Sequence, residues 1–465
     1  MTKGRPLEPD RQAMEQIGRA ALEFAADYIE QRATAPATGV DEAAWKLAQH
    51  LLEGRPSEES GDFDELLGIV DEAAAGSFDT TGPGYMAFIP GGGLYSAAIA
   101  SFLANITNRF VNLAAPAPAM AAIEATVVRW LCESFGYGDG SQGVLTSGGS
   151  MANLSAIVAA RTELLGESFA DGAIYLTEHT HGSVAKAAVI AGFPRSALRT
   201  IECDEGWRMR PEALVEAVRA DRAASRRPFL VVGSAGTTNT GAVDPLPEIA
   251  SIAAAEELWF HVDAAYGGFF QLTERGRRAL AGIDTGDTIT LDPHKGLFLP
   301  YGCGCLLARD GDSLRRAHQV DADYLQDLAD TRGIPNFADH SPELTRDFRG
   351  LRVWLPLHLH GLAAFRNALD EKLDLARIAY EGLAADDRFD VWEPPLSIVP
   401  FRLRGRDDEV NRELLERINN SGRMFLSSTV VDGRFMLRVC VLAHRTNRAR
   451  IEEAVEVLRR AAEGL

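Results

Sequence analysis

Between about residues 143 and 310 the chain repeats one unit: a short apolar β run, a turn of small or polar residues, and a helical pattern. The β runs fall at 173–176, 229–233, 258–262, 288–291 and 304–307, with helical patterns such as 211–222 and 247–256 between them. Runs this apolar do not alternate between a wet and a dry face, so both faces of their sheet must be covered. Strand, helix, strand repeated over such a length predicts an α/β fold built on a mainly parallel sheet. At 465 residues the chain is too long for one small core. Helical periods run over 11–31, about 43–52 and 123–135. Beyond residue 354, helices to about 383 and over 409–419, strand candidates at 396–403 and 435–441, and a last helix from 447 make a smaller α/β unit.

Bulk chemistry narrows the partners. A formal charge of -19 argues against nucleic acid or an anionic membrane surface, although an acidic protein can still hold an anion locally. The least charged stretch, 81–108, is broken by Pro83, Pro90 and Gly91-Gly92-Gly93, so no membrane span is expected there. The first residues carry no apolar signal core, and a cytoplasmic location is expected. Cys132, Cys203, Cys303, Cys305 and Cys440 are scattered without metal spacing and read as small buried hydrophobes in a reducing compartment. No metal site is expected.

Chemistry concentrates where the β runs stop. Leu291-Asp-Pro-His294-Lys295-Gly296 ends a run at a proline and sets a lysine on the following turn, where open α/β sheets place their ligands. Alone, that lysine reads equally as a solvated surface group. Asp263 closes His261-Val-Asp263-Ala-Ala265-Tyr266. A buried carboxylate needs a partner, such as the protonated pyridine nitrogen of pyridoxal 5'-phosphate (PLP), unless it merely caps the next helix. Ser147-Gly148-Gly149-Ser150 opens a helix with exposed N–H groups and hydroxyls. That is either an anion cradle or an ordinary capped turn, and it matches neither the Walker nor the dinucleotide pattern. His179-Thr-His181-Gly follows another run. A histidine ring can stack on a planar cofactor, and two histidines without further ligands are not a zinc site. Thr237-Thr238 closes a fifth run with hydroxyls.

Together these strand ends resemble the group II PLP-dependent amino-acid decarboxylases, the aromatic-L-amino-acid, histidine and glutamate decarboxylases. The likeness extends through Pro118-Ala-Met-Ala-Ala-Ile-Glu124 and Leu437-Arg438 to Arg445-Thr446-Asn447, over almost the whole chain, and HVDAAY and DPHK are its most specific segments. It implies the PLP-dependent transferase fold type I, with a seven-stranded sheet in a large PLP-binding domain over 95–353. A small C-terminal domain would span 354–465, and an N-terminal helical segment, 1–94, would pack on the partner subunit of a homodimer whose active site lies at the interface. The resemblance gives each site residue a role. Lys295 would carry PLP as a Schiff base, Asp263 would pair with the pyridinium, and His181 would stack on the ring opposite Ala265. Gly149 and Ser150 would hold the phosphate with help from His294, and Thr238 would contact the cofactor or the lysine. Tyr324, in the polar segment 321–333, would return a proton to the substrate Cα.

The implied activity is decarboxylation of an L-amino acid to its amine and CO2, with aromatic acids among the candidates. Rivals on the same fold are carbon–carbon lyases and aldehyde synthases, which couple decarboxylation to oxidative deamination and typically lack the tyrosine or the stacking histidine. A silent binding homologue would show damage at Lys295 or Asp263, and the sequence shows none. In the family the substrate pocket is lined by segments corresponding to 86–92, 110–112 and a position near 345. Aromatic-acid enzymes carry bulky or aromatic groups at several of these points, and glycine near the last. Gly91-Gly92-Gly93, Asn112 and Thr345 depart from that pattern and weaken the case for an indole or catechol ring. Arg346 and Arg349 read as structural ion pairs rather than anchors for an acidic substrate.

Overall fold

The structure, a computed structural model, describes residues 7–319 and 331–465. Its strands form two sheets. The first strand, β1 (Tyr85–Met86), belongs to the smaller one. The next seven build the larger: β2 (Gln142–Thr146), β3 (Gly172–Thr177), β4 (Leu198–Ile201), β5 (Arg227–Ser234), β6 (Trp259–Asp263), β7 (Thr288–Leu291) and β8 (Gly304–Ala308). The five apolar runs read from the sequence fall on β3, β5, β6, β7 and β8. Every residue of β3, β6, β7 and β8 is buried, as strands covered on both faces must be.

Across the large sheet the order is β2-β8-β7-β6-β5-β3-β4. Pairing is parallel from β4 through β7, while β8 runs antiparallel to both β7 and β2. β2 thus points the same way as the parallel strands, and the carboxyl ends of β2, β3, β5, β6 and β7 share one edge. The register there is level: Ser234 lies opposite Asp263, and Asp263 opposite Thr290. Helices Gly149–Leu164, Pro211–Ala223 and Leu246–Ala255 pack on this sheet. Phe229, Phe260 and Phe269 are fully buried in its core, each worth roughly 1.5–3 kcal/mol of removed apolar surface.

The small sheet adds β9 (Phe389–Val391), β10 (Ile398–Leu403), β11 (Phe425–Val431) and β12 (Arg434–Cys440), in the order β1-β11-β12-β10-β9. Asp432 and Gly433, with φ of 50° and 70°, form the two-residue turn that matches the twist of the β11–β12 hairpin. Met86, Phe389, Phe401 and Leu437 belong to a second hydrophobic core, separate from the first. The segment expected to end at residue 94 therefore contributes β1 to the small unit, pairing Tyr85 with Phe425. The boundary expected at 353 falls inside one helix, Arg349–His360. No helix among the described residues is long and apolar enough to cross a membrane.

Candidate active site

At the shared carboxyl edge lies a cavity of about 290 Å³. Gly149, Ser150, His181 and Asp263 line it, as do Ala265, His294 and Lys295. Strand ends separated by more than a hundred residues are thus brought to one place by the parallel topology. Thr238 is not among the lining residues. It lies in the loop after β5, where its carbonyl accepts a hydrogen bond from Arg438 Nη1. Tyr324 lies outside the described residues. Asn153, Ser183 and Asp292 also line the cavity, and none of the three was singled out from the sequence.

Lys295 is presented by a single turn of helix, Pro293–Gly296, which begins at the proline because the missing N–H costs nothing at the first helical position. Its ammonium lies 2.9 Å from Asp292 Oδ2, both side chains being largely buried. Asp292 Oδ1 is buried without a hydrogen-bond partner. His294 places Nδ1 2.7 Å from the Cys303 carbonyl, so that nitrogen carries a proton and donates it. Only Nε2 is left to face the cavity, 3.8 Å from Asp292 Oδ2. Burial lowers the His294 pKa below the ordinary histidine value.

Asp263 ends β6 with one donor on each oxygen: the Asn153 amide at 3.1 Å on Oδ2 and the Ala265 backbone N–H at 3.2 Å on Oδ1. His181 caps helix Gly182–Ile190, its Nδ1 accepting from the Ser183 backbone N–H. His179, two residues earlier, is buried with neither ring nitrogen hydrogen-bonded.

The glycine run 91–93 has a packing cause. A Cβ on Gly92 would lie 2.4 Å from Phe298 Cβ, and one on Gly91 would meet the Tyr301 ring at 3.0 Å. These glycines let the chain press against the segment that follows Lys295, so their small size says nothing about how large a substrate fits. Asn112 likewise spends its amide on the Leu344 carbonyl at 2.8 Å. Arg346 pairs with the fully buried Glu124, and Arg349 with Glu343 at 2.9 Å, the structural ion pairs read from the sequence.

The residues present fit PLP. A Cβ on Gly149 would sit 3.1 Å from Asp292 Oδ2 and 3.3 Å from Ala265 Cβ, so only bare backbone can approach there. No side chain caps helix Gly149–Leu164, which leaves its first-turn N–H groups for an anion. A carboxylate and a lysine complete the donor set for a phosphorylated pyridine aldehyde. The chain belongs to the pyridoxal-dependent decarboxylases: that family's conserved domain matches residues 48–404. It is a PLP-dependent carboxy-lyase that decarboxylates an amino acid. It is 34% identical to an aromatic-L-amino-acid decarboxylase of Bacillus atrophaeus, over 97% of this chain and 95% of that protein. It is 28% identical to a phenylacetaldehyde synthase of Arabidopsis thaliana, over 99% and 98%. The crystal structure of Oryza sativa TDC with PLP and tryptamine superposes with a TM-score of 0.92 at 27% identity, covering 98% and 99%.

Proposed function

We propose that the cavity beside Lys295 holds PLP and that the enzyme converts an aromatic L-amino acid to its amine and CO2. The observation that carries this is the convergence of Lys295, Asp263 and His181 on one cavity at the carboxyl edge. When bound, PLP supplies the electron sink for the pair left behind as CO2 departs. The remaining work belongs to the chain. Lys295 is the covalent anchor, and Asp292 is its counter-ion when its amine is free. Asp263 holds a proton on the pyridine nitrogen. His181 and Ala265 pack the ring faces, while the N–H groups at Gly149 and Ser150 receive the phosphate, joined by His294 Nε2 once the phosphate's charge has drawn a proton onto it. Tyr324 returns the proton to Cα. With Arg346 and Arg349 engaged by glutamates, neither is left as a counter-charge for an acidic substrate, and the likeness to the Bacillus atrophaeus enzyme favours an aromatic one.

The enzyme works as a homodimer with this site at its interface. Phe88, Phe102, Ile106 and Tyr301 are all more than half exposed in the single chain. The Tyr301 ring lies 5.7 Å from that of His294, so one of these exposed apolar side chains stands beside the cavity.

The test is to incubate the yellow holoenzyme with the amino acids one by one and follow CO2, amine and aldehyde together. Borohydride should fix the cofactor to Lys295, and aromatic L-amino acids should give amine and CO2 in equal amounts. The likeness to phenylacetaldehyde synthase makes the aldehyde a second reading, and Tyr324→Phe should divert product toward aldehyde and ammonia, with dissolved O2 as the oxidant reduced to peroxide and water supplying the aldehyde oxygen. A protein that takes up no PLP, or releases CO2 only from non-aromatic acids, would sink the proposal. An unchanged amine yield in Tyr324→Phe would remove Tyr324 from its role.

A further inference from the structure

Behind Asp263 runs a chain of buried hydrogen bonds that fixes more than that carboxylate. His261, two residues earlier on β6, is completely buried, and burial pushes its pKa down to about 4, so the ring is neutral. Its Nδ1 lies 2.9 Å from Thr288 Oγ1 and its Nε2 3.0 Å from Asn153 Oδ1. An amide oxygen only accepts, so Nε2 carries the proton and Nδ1 accepts from the Thr288 hydroxyl. That hydroxyl in turn accepts from Trp259 Nε1 at 2.9 Å.

The Asp263 carboxylate only accepts, so the Asn153 atom beside it must be the NH2, which is consistent with the same orientation. Asn153 Oδ1 faces His261, which turns Nδ2 toward the cavity. There Nδ2 donates to Asp263 Oδ2 at 3.1 Å and to Ser183 Oγ at 3.0 Å. Ser183 Oγ, having accepted from Asn153, lies 2.7 Å from His181 Nδ1 and donates to it. The Ser183 backbone N–H donates to the same nitrogen at 3.3 Å. The His181 proton therefore sits on Nε2. One amide, 1% exposed, joins the carboxylate at the end of β6 to the imidazole at the start of helix Gly182–Ile190. Were the amide reversed, its oxygen would oppose Asp263 Oδ2, and His261 would have to carry its proton on Nδ1 to accept from the NH2.

We infer that Asn153 is a positioning residue for the decarboxylation: held one way round by His261, its amide fixes Asp263 directly and His181 through Ser183. This rests on the reading that the cavity holds PLP with Asp263 at the pyridine nitrogen. A role confined to packing would change stability alone. A positioning role must also appear in the bound cofactor, whose absorption reports the charge on its ring.

The experiment compares the holoenzyme with Asn153→Asp, Asn153→Leu, His261→Gln and His261→Leu. Each is read by PLP affinity after removal and re-addition of the cofactor, by the visible spectrum across pH, and by thermal midpoint. Asn153→Asp is nearly isosteric but sets a second carboxylate against Asp263. It and Asn153→Leu should weaken PLP binding by about tenfold or more, as loss of a hydrogen bond to a charged group does. Both should also shift the pH at which the bound chromophore changes. His261→Gln, which keeps an N–H toward Asn153, should restore the wild-type spectrum, whereas His261→Leu should shift it. Wild-type affinity and spectra in both Asn153 variants, whatever their thermal midpoints, would overturn the inference. A wild-type protein that takes up no PLP would overturn instead the reading beneath it.

Discussion

The large sheet and the N-terminal helices draw on the same kinds of residue and bury them in opposite ways. In the sheet, Phe229 and Phe260 are 1% and 2% exposed, and Phe269, packed against it, is 0% exposed. In helices Arg11–Gln31, Glu42–Glu53 and Phe63–Ala75 no residue is buried, and Trp45, Leu52 and Val70 are 63%, 85% and 54% exposed. The helices are nonetheless locally well specified. Asp10, Asp41 and Asp62 each cap one by accepting from first-turn N–H groups. The arm is tied to the small unit by the Ala37 N–H on the Gly422 carbonyl at 3.0 Å and internally by Arg32 with Asp79 at 3.5 Å. Capped, anchored and amphipathic elements left uncovered among the described residues are suited to cover from another chain, because most helical stability in proteins comes from packing an amphipathic face. A second copy supplies it in the proposed homodimer.

The largest expected effect lies on the sheet side. Phe260→Ala should cost about 3–5 kcal/mol of unfolding free energy, through lost burial and the cavity left behind. Denaturant titration should return that loss at every protein concentration. On the arm, Trp45→Glu with Leu52→Glu should move isolated-chain stability by only about 0.5 kcal/mol. The same pair should loosen the dimer by at least roughly tenfold in sedimentation, a change of about 1.4 kcal/mol. If the arm variant lost stability equally at high and low concentration, or stayed as dimeric as the wild type, the arm would not be an interface and the contrast would fail.

How much of this was legible depends on range. The apolar runs of β3 and β5 to β8 announce themselves because burial on both faces removes polar alternation. Lys295, Asp263, His181 and Ser150 could be placed at one edge because parallel strands end together. β4, with its sequence Leu-Arg-Thr-Ile, escaped notice because it pairs on one side only and is half exposed. β11 hid behind Ser427-Ser428-Thr429, and β1 is two residues lent by a glycine-rich stretch to the other sheet. Nothing in an apolar run states its direction, so the antiparallel β8 had to be seen. The partnership of Asn153 with His261 spans 108 positions, and an asparagine within a helix carries no mark of it. Asp292 was within reach, since it stands three residues from Lys295 and a one-turn helix brings that spacing together. Gly91 and Gly92 misled for a physical reason: a missing side chain looks the same in a sequence whether it opens a pocket or admits a close neighbour.

The smallest effect distinguishes the packed regions by acid. His261, His318 and His444 are held neutral by burial, with pKa values lowered to about 4, 4 and 3. In the unfolded chain each returns to about 6.5 and takes up a proton that the folded form refuses. The folded pKa lies below the unfolded one, so stability is at its full value above pH 6.5 and falls as the pH drops from there toward 4 and below. His444 is the cleanest probe, because its Nδ1 has no hydrogen-bond partner for a substitution to break. Relative to wild type, His444→Leu should gain up to about 1.4 kcal/mol between pH 7.5 and 5.5, because the lower pH lies about a unit below the free histidine value and well above the folded one. Urea melts at the two pH values measure the difference directly. A gap that stays constant would mean that His444 is protonated in the folded protein, and that acid acts on packing elsewhere than at this buried ring.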